Sequence, residues 1–165
     1  MLVSVVILAG GSSWSQGLVG DGNVSGNSIS SAVRNISAQE ELSVKLLNAD
    51  RLAHGLQPLA VNPILTTIAE RHAQDMIDHM FFSHINLEGE SPKDRVSRSG
   101  ISFGYVGENL AIDITVEAAE AALMRSLAHR ANILNSQYTE VGIGVREGSD
   151  GEIYMVQVFI GPGAQ

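Results

Sequence analysis

Cysteine is missing from all 165 residues, which excludes disulfide staples and thiolate metal ligands. Any metal must then be held by imidazole, carboxylate, hydroxyl or carbonyl groups. Basic residues are scarce too: ten Lys and Arg against eighteen Asp and Glu give a formal charge of −8. No basic cluster occurs, which argues against nucleic acid or an anionic membrane surface as the main partner, because both demand a concentrated positive face. Nothing beyond the N-terminus approaches the ~20 apolar residues of a membrane span, so no integral span is expected. The HExxH word of zinc peptidases and the GxSxG elbow of serine hydrolases are both absent.

A chain of this length suggests one domain with a single core. It opens with the short apolar run LVSVVILAG, followed by Ser13 and Ser15 at the −3 and −1 positions before Gln16, the pattern of a cleaved secretory signal over residues 1–15. Residues 16–37 are rich in Gly, Ser and Asn without sustained period and read as a flexible linker. Two N-x-S words lie in it, at Asn23 and Asn35, and matter only in a cell that glycosylates secreted chains. The folded domain is expected over 38–165.

Within that domain Ser37 and Glu40 form a capping box, and Leu42, Leu46 and Leu47 continue at helical spacing until Gly55. Asn62 and Pro63 open a second helix with the stripe Leu65, Ile68, Ala69, Ala73, Met76 and Met80. Ser91, Pro92 and Asp94 start a short third helix ending near Gly100, and Thr115 caps a fourth from Val116 to about Leu127. The period then changes. Val141, Ile143 and Val145 alternate, EGSDG turns the chain, and Ile153 to Ile160 returns. With a strand near Val106 to Ile112 these make a small antiparallel sheet, and helices from both halves of the chain cover its two faces.

Three words in the second half gather the side chains that bind metals or carry protons: FFSH ending at His84, GEN at Gly107 to Asn109, and SLAHRANILN from Ser126 to Asn135. Taken alone, His84 reads as a loop histidine just past the second helix. His129 reads as a cation near a helix C-terminus, favoured by its dipole, with the following NILN arguing for a tight connection. Arg130 reads as structural, its planar fork suited to carbonyls or a carboxylate. Glu108 is an odd choice in a half-buried strand unless satisfied or functional, since an unpaired buried carboxylate is costly. Asn109 reads as a backbone brace. His72, Asp75 and His79 share a helix face at a spacing compatible with a metal, although a solvated face, or for His72 the edge of the core, is the simpler reading. His54 suits the end of the first helix, and Met76, Met80, Phe81 and Phe82 read as core.

Taken in order, LLNADRLAHGLQPL, AERHAQDM, FFSH, GYVGENLA, SLAHRANILN and YTEVGIGV make the stretch from about Asn48 to Ile160 resemble the CAP superfamily (cysteine-rich secretory proteins, antigen 5, pathogenesis-related proteins), also called the SCP domain, and its bacterial branch in particular. The resemblance implies an α/β/α sandwich and a pocket where His84, Glu108 and His129 meet. Two neutral imidazoles from different segments form a divalent metal site, with Zn²⁺ favoured, and Glu108 would orient a ring, accept a proton or reach the ion through water. The eukaryotic pattern carries a second glutamate, three residues after a tryptophan on the helix before the last histidine. Here those places hold Ser126 and Leu123, so the pocket reads as His84, Glu108, Ser126 and His129, and any mechanism needing two carboxylates is put in doubt.

Three function classes remain open. The favoured one is a secreted, monomeric, non-enzymatic module whose cleft holds a divalent metal and an extracellular peptide, glycan or lipid. The second is a metal-assisted hydrolase with Glu108 as general base. The third is a surface protein whose pocket is vestigial. Ser126 and His129 make no triad, since nothing supplies a third member or an oxyanion hole.

Overall fold

The structure, a computed structural model, describes residues 26–163, with side chains from 38 onward. The expected leader and the first part of the linker lie outside the described residues. Helix α1 (Gly26–Ala53) begins well before Ser37, so Ser37 is not its N-cap, and part of the segment read as a linker is helical. Glu40 has a different task from closing a capping box: its carboxylate accepts from the Val145 amide and from Arg146, each at 3.2 Å. The other end of α1 follows expectation. Gly55 and Leu56 donate to the carbonyls of Leu52 and Arg51, the paired bonds of a Schellman stop.

A two-residue strand, β1 (Ala60–Val61), leads into α2 (Pro63–Asp78). The Asn62 side chain accepts from the amides of Ile64 and Leu65, and Pro63 sits where its missing amide costs nothing. The expected stripe is buried from Leu65 to Met76. Met80 is the exception: it lies past the helix end at φ 53° and is 91% exposed, because the chain reverses there to bring Phe81 back toward the core. The remaining elements are α3 (Pro92–Arg98), β2 (Tyr105–Asp113), α4 (Val116–Arg125), α5 (Leu127–Ile133), β3 (Glu140–Glu147) and β4 (Ile153–Gly161). The fourth helix ends earlier than its period suggests. Ser126 leaves helical dihedrals at ψ 121°, and a separate short helix, α5, takes up the segment expected to be a tight connection.

The four strands lie in the order β1-β3-β4-β2, with β1 parallel to β3 and the other pairs antiparallel. Alternation along β4 decides what each face holds. Val156, Val158 and Ile160 pack with Leu65, Ala69, Met76 and Val96 from α2 and α3. Ile153, Met155 and Phe159 pack with Leu47, Ala119, Leu123 and Ile133 from α1, α4 and α5. The result is the expected α/β/α sandwich, with β2 and β1 as its two edges.

α2 comes so close to β3 that a β-carbon at Gly144 would lie 2.2 Å from the Glu70 amide nitrogen and 2.4 Å from the Ala69 carbonyl carbon. Both neighbours are backbone, so neither swings aside. Gly144→Ala should therefore push α2 off the sheet and cost about 1–3 kcal/mol, the range for overpacking a close-packed interior. Urea unfolding would check this, and an unchanged midpoint would show that the helix has room to slide.

Candidate functional site

The site forms on β2, an outer strand of the sheet. Along this strand Leu110 belongs to the α2–α3 layer and Ala111 to the other, which sets Glu108 toward α2 and α3 and Asn109 toward α4 and α5. The Gly107 of the GEN word leaves room that a side chain would fill: a β-carbon there would meet the Tyr138 hydroxyl at 2.2 Å.

Glu108 is 2% exposed, and both of its oxygens are engaged. Oε1 lies 2.8 Å from His84 Nδ1, and Oε2 accepts from Arg95 Nη2 at 2.7 Å. Arg95 also donates through Nη1 to the carbonyls of His84 (3.0 Å) and Glu90 (2.9 Å), so one guanidinium ties α3 to the loop carrying His84. The α3 start that delivers Arg95 is closed by the expected Ser91–Asp94 capping box. A carboxylate only accepts, so the neutral His84 ring must carry its proton on Nδ1, which leaves the Nε2 lone pair available.

His129 projects from α5 and is 3% exposed. Neither of its ring nitrogens has a hydrogen-bond partner. Burial holds its pKa below the ordinary 6.5, which favours the neutral ring, and any proton on His84 lowers it further. The structure thus joins His84 to Glu108, while His129 comes from the helix whose Asn132 reaches the Glu108 carbonyl. Ser126 sits half-buried at the α4–α5 junction with no capping bond from its hydroxyl.

Among the described residues no group of three or more His, Asp or Glu is arranged to hold a metal. Two imidazoles remain, one locked in the tautomer that frees Nε2 and one kept neutral with both nitrogens open. That donor set fits a divalent ion whose other positions are filled by solvent. His72 does not share a ligand set with His79. His72 is buried, with Nε2 on the Ser83 carbonyl at 2.9 Å, whereas His79 is exposed and pairs with Asp75 at 2.8 Å.

A buried amide chain braces the site from the opposite face of β2. Asn109 Nδ2 donates to the His129 carbonyl (3.2 Å) and to Gln157 Oε1 (3.0 Å), which confirms the bracing role expected of Asn109. Asn132 donates to the Glu108 carbonyl (3.1 Å) and to Asn109 Oδ1 (2.9 Å). Gln157 in turn donates to Glu120 Oε1 at 2.7 Å, where Ser43 also donates. Sequence reasoning did not single out Glu120, Gln157 or Arg95. For Glu120 a signal existed, since Val116, Ala119, Glu120 and Leu123 share one helical stripe and the others are apolar. Arg130 does not satisfy carbonyls as expected; it is exposed and reaches His54 Nε2 at 3.0 Å. Arg51, 2% exposed, fills that role instead, donating to the carbonyls of Gln57, Ile133 and Asn135.

Residues 44–159 match the family model described as CAP, cysteine-rich secretory protein family. The chain belongs to the CAP family. Its relatives include YkwD of Bacillus subtilis (strain 168), described as uncharacterized, 40% identical over 82% of this chain and 52% of its own length. Among solved structures, an extracellular protein containing an SCP domain from Bacillus anthracis str. Ames superposes with a TM-score of 0.75 at 28% identity, covering 86% of this chain and 45% of that one. An outer surface protein from Borrelia burgdorferi shares the fold with a TM-score of 0.71 at 20% identity, over 76% of this chain and 93% of that one. The chain spans about half the length of the first two relatives. No helix among the described residues of this CAP domain is long and apolar enough to cross a membrane.

Burial pushes the Glu120 carboxyl from its ordinary 4.5 up to about 7, against the lowering effect of the bonds from Ser43 and Gln157. An acid that holds its proton more tightly in the folded state stabilises the fold at low pH. That contribution fades as pH rises from 4.5 to about 7. Glu40 is raised to about 7 by burial as well, and the neutral buried histidines His72 and His129 add a slope of opposite sign below 6.5. Comparison with Glu120→Gln isolates the one group. Relative to this variant, the wild type should lose up to ~3 kcal/mol of unfolding free energy between about pH 5 and about pH 8. Urea melts of both proteins at the two pH values would test it, and an equal difference at both would refute the assignment.

Proposed function

We propose that this CAP domain works outside the cell as a binding module, without chemistry of its own, whose His84, Glu108 and His129 pocket takes a divalent cation such as Zn²⁺ beside an extracellular peptide, glycan or lipid. One observation carries the reading. The Glu108–His84 bond is the carboxylate–histidine arrangement that fixes a ligand's tautomer and raises its basicity, and it has a second neutral imidazole for company. A bound ion would supply Lewis acidity and an anchor for a ligand oxygen. His84 and His129 would hold it, and Glu108 would orient His84 while Arg95 balances the carboxylate charge.

Glu108 suits orientation better than general-base work, because each of its oxygens is already committed to a donor. The extracellular setting is supported by the apolar leader expected at residues 1–15 and by the Bacillus anthracis relative, described as an extracellular protein.

Zn²⁺ should bind with an affinity well short of a four-ligand structural site, whose binding free energy runs to ~10–16 kcal/mol. Removal of either imidazole, in His84→Ala or His129→Ala, should abolish binding. Glu108→Gln should weaken it, and His72→Ala should leave it intact. Binding should fade as pH falls below the ordinary histidine value of ~6.5, where protons claim the same nitrogens. Calorimetric titration of purified chain would decide. Equal Zn²⁺ affinity in the wild type and in a His84→Ala, His129→Ala double variant would rule out this site.

A further inference from the structure

A concavity that Arg95 helps to line lies outside the residues of the candidate site. It is a cleft of about 330 Å³ between α2, the loop carrying His84 to Ser91, and α3. That volume is at the small end of ligand-sized pockets, fit for a small molecule rather than a macromolecular surface.

Its lining carries both signs of charge, and most of these groups are already used. Asp75 holds His79, Arg98 contacts Glu90, and Arg95 is committed to Glu108 and two carbonyls. Two are not: among the described residues, Arg71 on α2 and Glu88 on the loop make no hydrogen bond or ion pair, and both are exposed. A cation and an anion therefore stand unpaired around one small cleft, from two different elements.

The cleft also has buried polar atoms without partners. His72, 2% exposed, lines it. Because Nε2 donates to the Ser83 carbonyl, Nδ1 bears the lone pair, and nothing donates to it. Arg95, whose side chain is 9% exposed, lines it as well, and its Nε donor has no acceptor. An acceptor and a donor left unpaired and shut off from water are costly in the folded protein, and they lie in the wall of the cleft, behind its charged rim.

We infer that this cleft binds a small zwitterion, a free α-amino acid or a short peptide with both charged ends, its carboxylate drawn to Arg71 and its ammonium to Glu88. A simple anion would leave Glu88 unserved. A neutral sugar would leave both charges unpaired. This inference does not rest on the metal reading: zinc titration reports on the imidazoles, and zwitterion titration reports on the cleft.

The test is calorimetry on the full chain with alanine and dialanine, set against N-acetylalanine methylamide, acetate and N-acetylglucosamine. One of the free zwitterions should bind with one-to-one stoichiometry, and the capped, anionic and sugar probes should each be at least about tenfold weaker, the scale of losing a charge-assisted hydrogen bond. Arg71→Gln and Glu88→Gln should each cost a similar factor. Both side chains are exposed, so each variant should melt like the wild type, which separates lost binding from lost fold. The inference is overturned if neither zwitterion binds, if a capped or singly charged probe binds as tightly, or if both variants keep full affinity.

Discussion

A carboxylate taken out of water must be met by donors on every side, and Glu108 is where this fold meets that demand. Its two oxygens receive one donor each, a ring nitrogen from the loop after α2 and a guanidinium from α3. The arrangement does more than satisfy Glu108. It fixes where α3 lies against β2, since Arg95 has to arrive at 2.7 Å, and it fixes the His84 loop, since the same guanidinium takes the His84 and Glu90 carbonyls. Breaking one partner of such a buried pair leaves a charge uncompensated, an effect of about 3–5 kcal/mol, whereas the intact set contributes much less net stability. Its value lies in geometry: one tautomer of His84 and one place for it.

The other face of β2 solves a different problem. An edge strand has backbone groups with no neighbouring strand to pair with, and an uncovered edge invites pairing with another chain. Here α5 covers it. Asn132 reaches the Glu108 carbonyl, and the Asn109 side chain takes the His129 carbonyl, so the helix that protects the edge is also the one that delivers the second imidazole. Amide groups are ambiguous about which end donates, and this chain of amides is anchored by an acceptor, Glu120 Oε1. With the Gln157 amide nitrogen bound there, its oxygen must accept from Asn109, and the orientation passes down to α5. A buried carboxyl on α4 thereby sets hydrogen-bond direction at the site without touching it.

Much of this architecture was legible because local chemistry and tertiary need agree. Asn62–Pro63 and Ser91–Pro92–Asp94 start helices for reasons contained within a few residues, and β3 keeps its alternation because the positions between Val141, Ile143 and Val145 are glycines against which α2 packs. Where the two levels part, the reading failed. Ser37 and Glu40 have the right spacing for a box, yet Glu40 is claimed by Val145 and Arg146, more than a hundred residues away. Ile29, Val33 and Ile36 already carried a helical spacing that the Gly, Ser and Asn content obscured. β1 is two residues long and exists only through parallel pairing with β3, so no periodicity could announce it. Arg130 and Arg51 show the same limit: either guanidinium could satisfy carbonyls, and only the packing of α1 against α5 decides that Arg51 does.

His84 and Glu108 were nameable as a pair through the family pattern, while Arg95 was not, since nothing in PKDRVSR distinguishes it from Arg98 until α3 is placed. The departure from the eukaryotic pattern now has a physical shape. Leu123 is 1% exposed in the α1–α4–α5 layer, and Ser126 sits where the helix breaks, so neither position offers a carboxylate to the site. Glu120, the next acid back on α4, is no substitute. One oxygen is held by Ser43 and Gln157, and burial favours its protonated form up to about pH 7. Two-carboxylate chemistry, in which one group donates a proton and the other accepts one, therefore lacks its second member, whereas coordination by two imidazoles needs only the carboxylate that Glu108 already provides as an orienting partner.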